Sequence, residues 1–388
     1  MKKVTILFLA VGVLFFLIIA NSVGRAQTTQ PIKIGAILDF TGPLAHKGPL
    51  YKNGIVKALE EVDYTVAGKK IEFIPEDTGG TAGTSLEKAR KLTERDNVHI
   101  IIGPIMADAH MAISPYIANK KVLCTTLNCG LFDLIKYKNW FIYPTTIETI
   151  TLPVGYFAAD LGYKTMITGG ADYAGGRLFI EAIKNGFEER GGKVIQQIWY
   201  PVGNVDFSSY LSSFKKADCF AYFVEVASGT QRLISQYHEF GIKIPILGTH
   251  ISNQLVEKVL ANIGDICVGL KGQAHYIPTS QTPLNQKWVK EMINRFGQMP
   301  GADEQSTYTI AQALLTALKW TNGDDSFDKL WPALLKVKIH TPQGPLSVGP
   351  EGVAITDNYI VEVKKKEGKY YLDPIKTYHQ VVDPRLRK

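Results

Sequence analysis

Residues with hydrogen-bonding chemistry collect behind short apolar runs in the first third of the chain. Thr41-Gly42-Pro43 and Gly48-Pro49 follow the run Ile32–Leu38. The segment 103–109 follows 99–102, and the segment 125–130, with Thr125, Thr126 and Asn128, follows 121–125. Hydroxyls, an amide and glycine-rich backbone can donate to an oxygen anion, which is chemistry for holding a small molecule. Chemistry for breaking one is missing: there is no GxSxG elbow, HExxH pair, Walker-A loop or GxGxxG after the first strand. Serine, histidine and aspartate occur, but no spacing places them together. The four cysteines, Cys124, Cys129, Cys219 and Cys267, show no CxxC or Cys/His ligand spacing. No metal or other cofactor is expected, and three full disulfide pairings stay open.

The elements that must position these residues follow from periodicity. Ile32–Leu38 reads as a buried strand, and from Gly54 the residues Ile55, Ala58, Leu59 and Val62 share one helix face. The spacing then predicts a strand at 71–75, a helix at 84–95, a strand at 99–102, a helix at 109–118 and a strand at 121–125. The loops 40–53, 103–109 and 125–130 each follow a strand of one parallel sheet, so they lie along one edge, where ligands of such sheets bind. The loop from Phe40 to Asn53 is the first candidate wall of a cleft. The pattern restarts after 141–144, with strands at 164–169, 193–200, 219–226, 245–247 and 267–274 alternating with helices at 147–161, 176–189, 207–214, 230–240 and 254–260. That is a second doubly wound unit. Helices at 284–296, 308–320 and 327–336 have no strands between them and return to the first unit. Residues 344–357 read as turn-rich, and 358–363 with 369–372 as a terminal hairpin. Crossings between the units are expected near 143–147, 276–281 and 348–355, an arrangement suited to closure around a ligand.

At 388 residues and 45% hydrophobic content the chain can bury two cores. The net charge of +7 is scattered, and the one dense basic run, Lys364-Lys365-Lys366, lies beside Glu362 and Glu367. Nucleic acid is not an expected partner. Lys2 and Lys3 precede an apolar run over 4–20, and Val23-Gly24-Arg25-Ala26 has the form of a processing site. Residues 1–26 therefore read as a signal peptide cleaved after Ala26, with a retained membrane anchor as the alternative. No cysteine stands at the junction for lipid attachment, and no second apolar segment is long enough to cross a bilayer.

Five stretches carry a family resemblance: IGAILDFTGPLAHKGPLYKNG from Ile34, IIGP from Ile101, ADYAGG from Ala171, ISQYHEFGIKIPILG from Ile234 and QGPLSVGPEG from Gln343. In that order, from residue 32 to about 374, the chain resembles the type I periplasmic binding proteins of ABC importers, in their leucine/isoleucine/valine-binding branch. The resemblance implies an α/β fold of two Rossmann-like doubly wound lobes joined by a three-crossing hinge. It places lobe 1 at 31–145 with 279–349 and lobe 2 at 146–278 with 350–388. It further implies a periplasmic monomer that captures one small molecule and delivers it to permease subunits in the membrane, without catalysis. A sensing module that works with a receptor is the alternative role for the same fold.

The resemblance also assigns site residues. Amino-acid binders of this branch hold the ligand carboxylate on the first-lobe loops, here Met106, Ala107 and Asp108 in one and Thr125, Thr126 and Asn128 in the other. Ala107 stands near the position where a serine is common. The second-lobe acid that would hold an ammonium group corresponds most nearly to His250, which cannot replace a carboxylate in that role. Gly175 replaces the usual aromatic residue before Gly176, with Tyr173 two positions earlier. Glu225, Asp108 or Asp172 are substitute acids. Phe40, Met106 and Tyr173 are candidate apolar walls, Lys47 a candidate contact for an anion at the cleft mouth, and Arg177 a candidate bridge between lobes. By composition, however, Lys47 reads first as a solvated loop lysine and Arg177 as a surface arginine. These departures shift the expected ligand from a branched-chain amino acid towards an organic acid with an apolar or aromatic body.

Overall fold

The computed structural model describes residues 30–386 apart from residue 256. The apolar run 4–20 and the cleavage point after Ala26 lie outside the described residues. No helix among the described residues is long and apolar enough to cross a membrane.

Strands β1 (Ile32–Leu38), β2 (Thr65–Val66), β3 (Lys69–Asp77), β4 (Ile100–Ile102), β5 (Leu123–Thr125) and β6 (Trp140–Phe141) form one sheet in the order β2-β3-β1-β4-β5-β6. All are parallel except β2, which makes a hairpin with β3. β1 is an almost unbroken apolar run because helices cover both of its faces. On one side lie α1 (Gly48–Glu60), α10 (Pro283–Phe296) and α11 (Ala302–Trp320), whose Ile55, Trp288 and Leu314 share a core with Ile34 and Ile102. On the other lie α2 (Ala82–Glu94) and α3 (Ala107–Asn119), whose Leu92 and Ile113 pack with Ile37 and Ile101. The helix after β1 begins at Gly48 rather than Gly54. The second Gly-Pro pair is its first turn, where proline's missing N–H costs nothing.

The second sheet contains β7 (Thr165–Ala171), β8 (Lys193–Tyr200), β9 (Cys219–Phe223), β10 (Ile246–Gly248), β11 (Lys271–Ala274), β12 (Lys338–Thr341), β13 (Gly344–Val348) and β14 (Ala354–Lys366), with β15 (Lys369–Val381) paired to β14. Its order is β12-β13-β14-β11-β10-β9-β7-β8, parallel from β11 to β8 and antiparallel elsewhere. Helix α4 (Ile147–Asp160) leads into it, and α5 (Ala174–Glu189), α6 (Ser208–Ser212), α7 (Ala227–Glu239), α8 (Ile251–Gln254) and α9 (Glu257–Ile263) connect its parallel strands. α12 (Phe327–Leu334) packs Leu330 and Leu334 into the first sheet's core.

Two expectations change. Residues 344–357 are not merely turns: 338–341 and 344–348 form a two-residue-loop hairpin that adds to β14. Their glycines and prolines mark the reversals, at Pro342-Gln343 and again where Gly352 N–H donates to Gly349 O, while the segments between them pair. β12 and β13 therefore hydrogen-bond with the second sheet although Leu346 and Val348 lie in the first sheet's core. The helix expected at 207–214 is only the five residues of α6. All four cysteines are free thiols, so none of the open pairings forms.

Candidate functional site

In each sheet the first strand lies between two later ones: β1 between β3 and β4, β7 between β8 and β9. The loops leaving β1 and β4, and those leaving β7 and β9, diverge at these points and open a crevice at the strands' C-terminal ends. Lys47 leaves β1, Met106 leaves β4, Thr125 and Asn128 leave β5, Tyr173 leaves β7, Glu225 leaves β9, His250 leaves β10 and His275 leaves β11.

A residue outside the expected set is the hub. Asp303, in the first turn of α11, is buried and accepts from Lys47 Nζ at 3.0 and 3.3 Å, Tyr51 hydroxyl at 3.0 Å and Asn128 Nδ2 at 3.0 Å. Asn253 Nδ2, from α8 of the second sheet, donates to the same Oδ1 at 3.0 Å. Burial alone would raise the carboxyl pKa; the Lys47 charge and the donors outweigh it and hold Asp303 below its ordinary value. Lys47 is thus no solvated loop lysine, since its ammonium is committed to a buried pair. Arg177 does keep to the surface, pairing with Asp172 of its own loop and lying 4.5 Å from the Trp199 ring centroid.

The second-sheet side is dominated by two histidines. His250 has φ 57 and ψ 29, in the left-handed region that is uncommon for residues other than glycine. Its N–H donates to Gln273 Oε1 at 2.9 Å, and Gln273 Nε2 donates to Asn358 Oδ1 at 2.8 Å. The His250 and His275 rings meet edge to face with centroids 5.5 Å apart, and Phe179 lies 5.1 Å from His250. Burial, with His275 and Lys47 adding to it and Asp303 opposing, pushes His250 well below the imidazole value. Burial does the same to His275, down to about 4, with Asp303 pulling upward and Lys47 downward.

Several buried polar atoms of this region have no hydrogen-bond partner: Thr125 Oγ1, Asn128 Oδ1, Glu225 Oε2, His250 Nε2 and both nitrogens of His275. Buried polar groups are ordinarily paired, so orphans converging from two sheets mark a place where a ligand supplies the partner.

The expected residues separate on this basis. Thr125 remains available, but Thr126 does not: its hydroxyl donates to Tyr143 O and accepts from Tyr143 N–H, both at 3.0 Å. Asn128 keeps only its oxygen, its amide being spent on Tyr51 and Asp303. Asp108 is exposed and accepts from Ala109 N–H at 2.9 Å, a helix-start role. Met106 and Ala107 are half-buried at the start of α3, and Phe40 packs at the edge of the first core. Tyr173 is half-buried, its phenol pushed up by burial first and then by Glu225, Cys129 and Asp108, which brings both sheets' residues near it. Gly175 has a reason: a Cβ there would lie 2.7 Å from Tyr173 Cε2, so the tyrosine ring fills the space of the expected aromatic. Glu225 spends Oε1 on the N–H of Gly203 and leaves Oε2 unpartnered.

Tyr51, Asn253, His275 and Asp303 were missed. His275 stands just past a strand whose end was placed correctly, so the rule that ligands sit beyond strand ends points to it. For Asp303 no local signal exists, because Lys47 is 256 residues away.

The sequence model of the periplasmic binding protein family matches residues 31–369. The Leu/Ile/Val-binding protein homolog 6 of Brucella melitensis biotype 1 is 27% identical over 397 aligned positions that cover 100% of both chains. A solute-binding protein of an ABC transporter from Rhodopseudomonas palustris BisB5, solved with 3,4-dihydroxybenzoic acid, superposes with a TM-score of 0.85 at 27% identity, covering 92% of this chain and 99% of that one. Another from R. palustris, solved with 4-hydroxybenzoate, gives a TM-score of 0.85 at 25% identity with the same coverage.

Proposed function

The chain belongs to the periplasmic binding protein family, and we propose that it serves an ABC transporter by capturing an organic carboxylate, aromatic or otherwise apolar in its body, between its two sheets. The observation that carries this reading is the state of Asp303. Asp303, the buried carboxylate at the centre of the site, already accepts Lys47, Tyr51, Asn128 and Asn253 and is not free for a ligand ammonium. Thr125 Oγ1, by contrast, is buried and unengaged on the first-sheet side, fit to donate to a carboxylate beside the backbone N–H groups of its loop. The benzoates bound by the two R. palustris proteins are of the proposed class.

In this reading the lobes are 31–145 with 279–349 and 146–278 with 350–388. Their connections act as the hinge, and the Asn253–Asp303 hydrogen bond is the contact that closure makes. The protein works as an exported monomer, binds without chemical conversion, and passes its solute to permease subunits. Closure follows from ligand contacts to both lobes, as a shift of population.

One observation favours a second reading. Glu225 Oε2 is buried without a partner near Tyr173 and can hold an ammonium group, which fits a branched-chain amino acid of the kind named for the Brucella relative. A thermal-shift screen of protein stripped of solute by unfolding and refolding separates the two. A ligand at 100 times its dissociation constant adds about 2.7 kcal/mol. Stabilisation by carboxylates that lack an amine, and its loss in Thr125→Val, is the expected result. Stabilisation by leucine or valine alone, abolished in Glu225→Gln, would replace the first reading with the second.

A further inference from the structure

We propose that His250 and His275 form a neutral hydrogen-bonding pair that reads a hydroxyl group on the ligand, at the end away from its carboxylate; the inference rests on the carboxylate reading above. The first step is that the pair is uncharged. Both rings are buried, at 6% and 1% exposure; they lie against each other, and His250 also lies against the Phe179 ring. The charged groups acting on them are Lys47 and Asp303, which neutralise one another. A protonated imidazole would have no counter-charge left, and two would repel across 5.5 Å.

The second step is what neutral rings require. A neutral imidazole carries one N–H donor and one lone-pair acceptor. His275 Nδ1 and Nε2 and His250 Nε2 are all buried and unpartnered, so His275 alone leaves one donor and one acceptor unmet. A carboxylate offers only acceptors and an ammonium only donors, so neither alone matches a site that needs both. A hydroxyl donates and accepts at once and carries no charge. It is the simple ligand group that satisfies such a site. The His250 backbone is held by the Gln273–Asn358 chain behind it, and its ring packs against Phe179 and His275.

The test is calorimetric titration of the refolded protein with benzoate, the three monohydroxybenzoates and L-leucine. At least one hydroxybenzoate is expected to bind about tenfold or more tighter than benzoate, the effect of one buried hydrogen bond pair. His275→Phe is expected to remove that preference, so that in the variant the hydroxybenzoate binds no tighter than benzoate. His275→Asn, which keeps a donor and an acceptor, is the second variant and is expected to retain part of it; thermal unfolding checks that both fold. Benzoate bound as tightly as every hydroxybenzoate, or a preference that survives His275→Phe, would overturn this inference alone. Binding of leucine but of no benzoate would overturn it together with the carboxylate reading, as would no binding at all.

Discussion

Replacing Asp303 by asparagine keeps the shape and an acceptor oxygen but strands the Lys47 ammonium. Lys47 and Asp303 are 9% and 6% exposed and 3.0 Å apart, so neither charge recovers water when the other is removed. Breaking a buried pair from one side typically costs about 3–5 kcal/mol, because the remaining charge stays desolvated. The asparagine oxygen can still accept from Tyr51, Asn128 or Asn253, which places the expectation near the lower end, about 3 kcal/mol. Lys47→Met in the same chain removes the stranded charge, so the double variant is expected to be less destabilised than the two single losses added together, with a coupling of about 1–3 kcal/mol. Urea unfolding of solute-free protein, with midpoint and slope compared across the four forms, measures both quantities. A loss below about 1 kcal/mol for Asp303→Asn, or single effects that simply add, would refute the reasoning. The sign in pH follows as well. The Asp303 carboxyl is held below its ordinary 3.8, so its contribution is complete above that value and is lost as pH falls through the folded one. Because Asn253 reaches Asp303 from the second sheet, the same variant is expected to weaken solute binding.

The buried histidines set a second window. Burial pushes His110 and His275 to about 4 from 6.5, with the Pro104 carbonyl opposing at His110 and Asp303 opposing at His275. The unfolded chain takes up these protons first, so stability is complete above 6.5 and declines as pH falls to about 4, by roughly 3 kcal/mol per group at most. Urea unfolding at pH 7 and at pH 4.5 reads this, and equal stability at the two would refute it. Packing gives a third prediction. A Cβ on Gly54 would lie 2.1 Å from Glu304 O and 2.2 Å from Thr307 Oγ1, so Gly54→Ala forces α1 from α11 and is expected to cost about 1–3 kcal/mol or more. Gly83→Ala in α2, where a Cβ meets nothing within 4 Å, is expected to stabilise by up to about 1 kcal/mol in the same unfolding assay.

Alternation and punctuation carried much of this fold. Ile32–Leu38 had to be a covered strand because, Lys33 apart, its residues are apolar on both faces, and a parallel sheet is where such a strand survives. Once the strands at 99–102 and 121–125 were read, the loops holding Met106, Thr125 and Asn128 had to share an edge, because right-handed βαβ connections leave no other arrangement. The family resemblance was likewise legible from motif order. Local pattern is silent on which of two adjacent threonines turns its hydroxyl to the backbone. Tyr143 decided that for Thr126 and left Thr125 available. It is equally silent on Lys47, whose composition-based prior is solvent and whose actual partner comes from a helix 256 residues on. Asp303, Asn253 and His275 acquire their meaning only when elements remote in sequence are packed together, as where Asn253 meets Asp303 at 3.0 Å. That juxtaposition is made by the packing of two cores, and no residue's own neighbours along the chain record it.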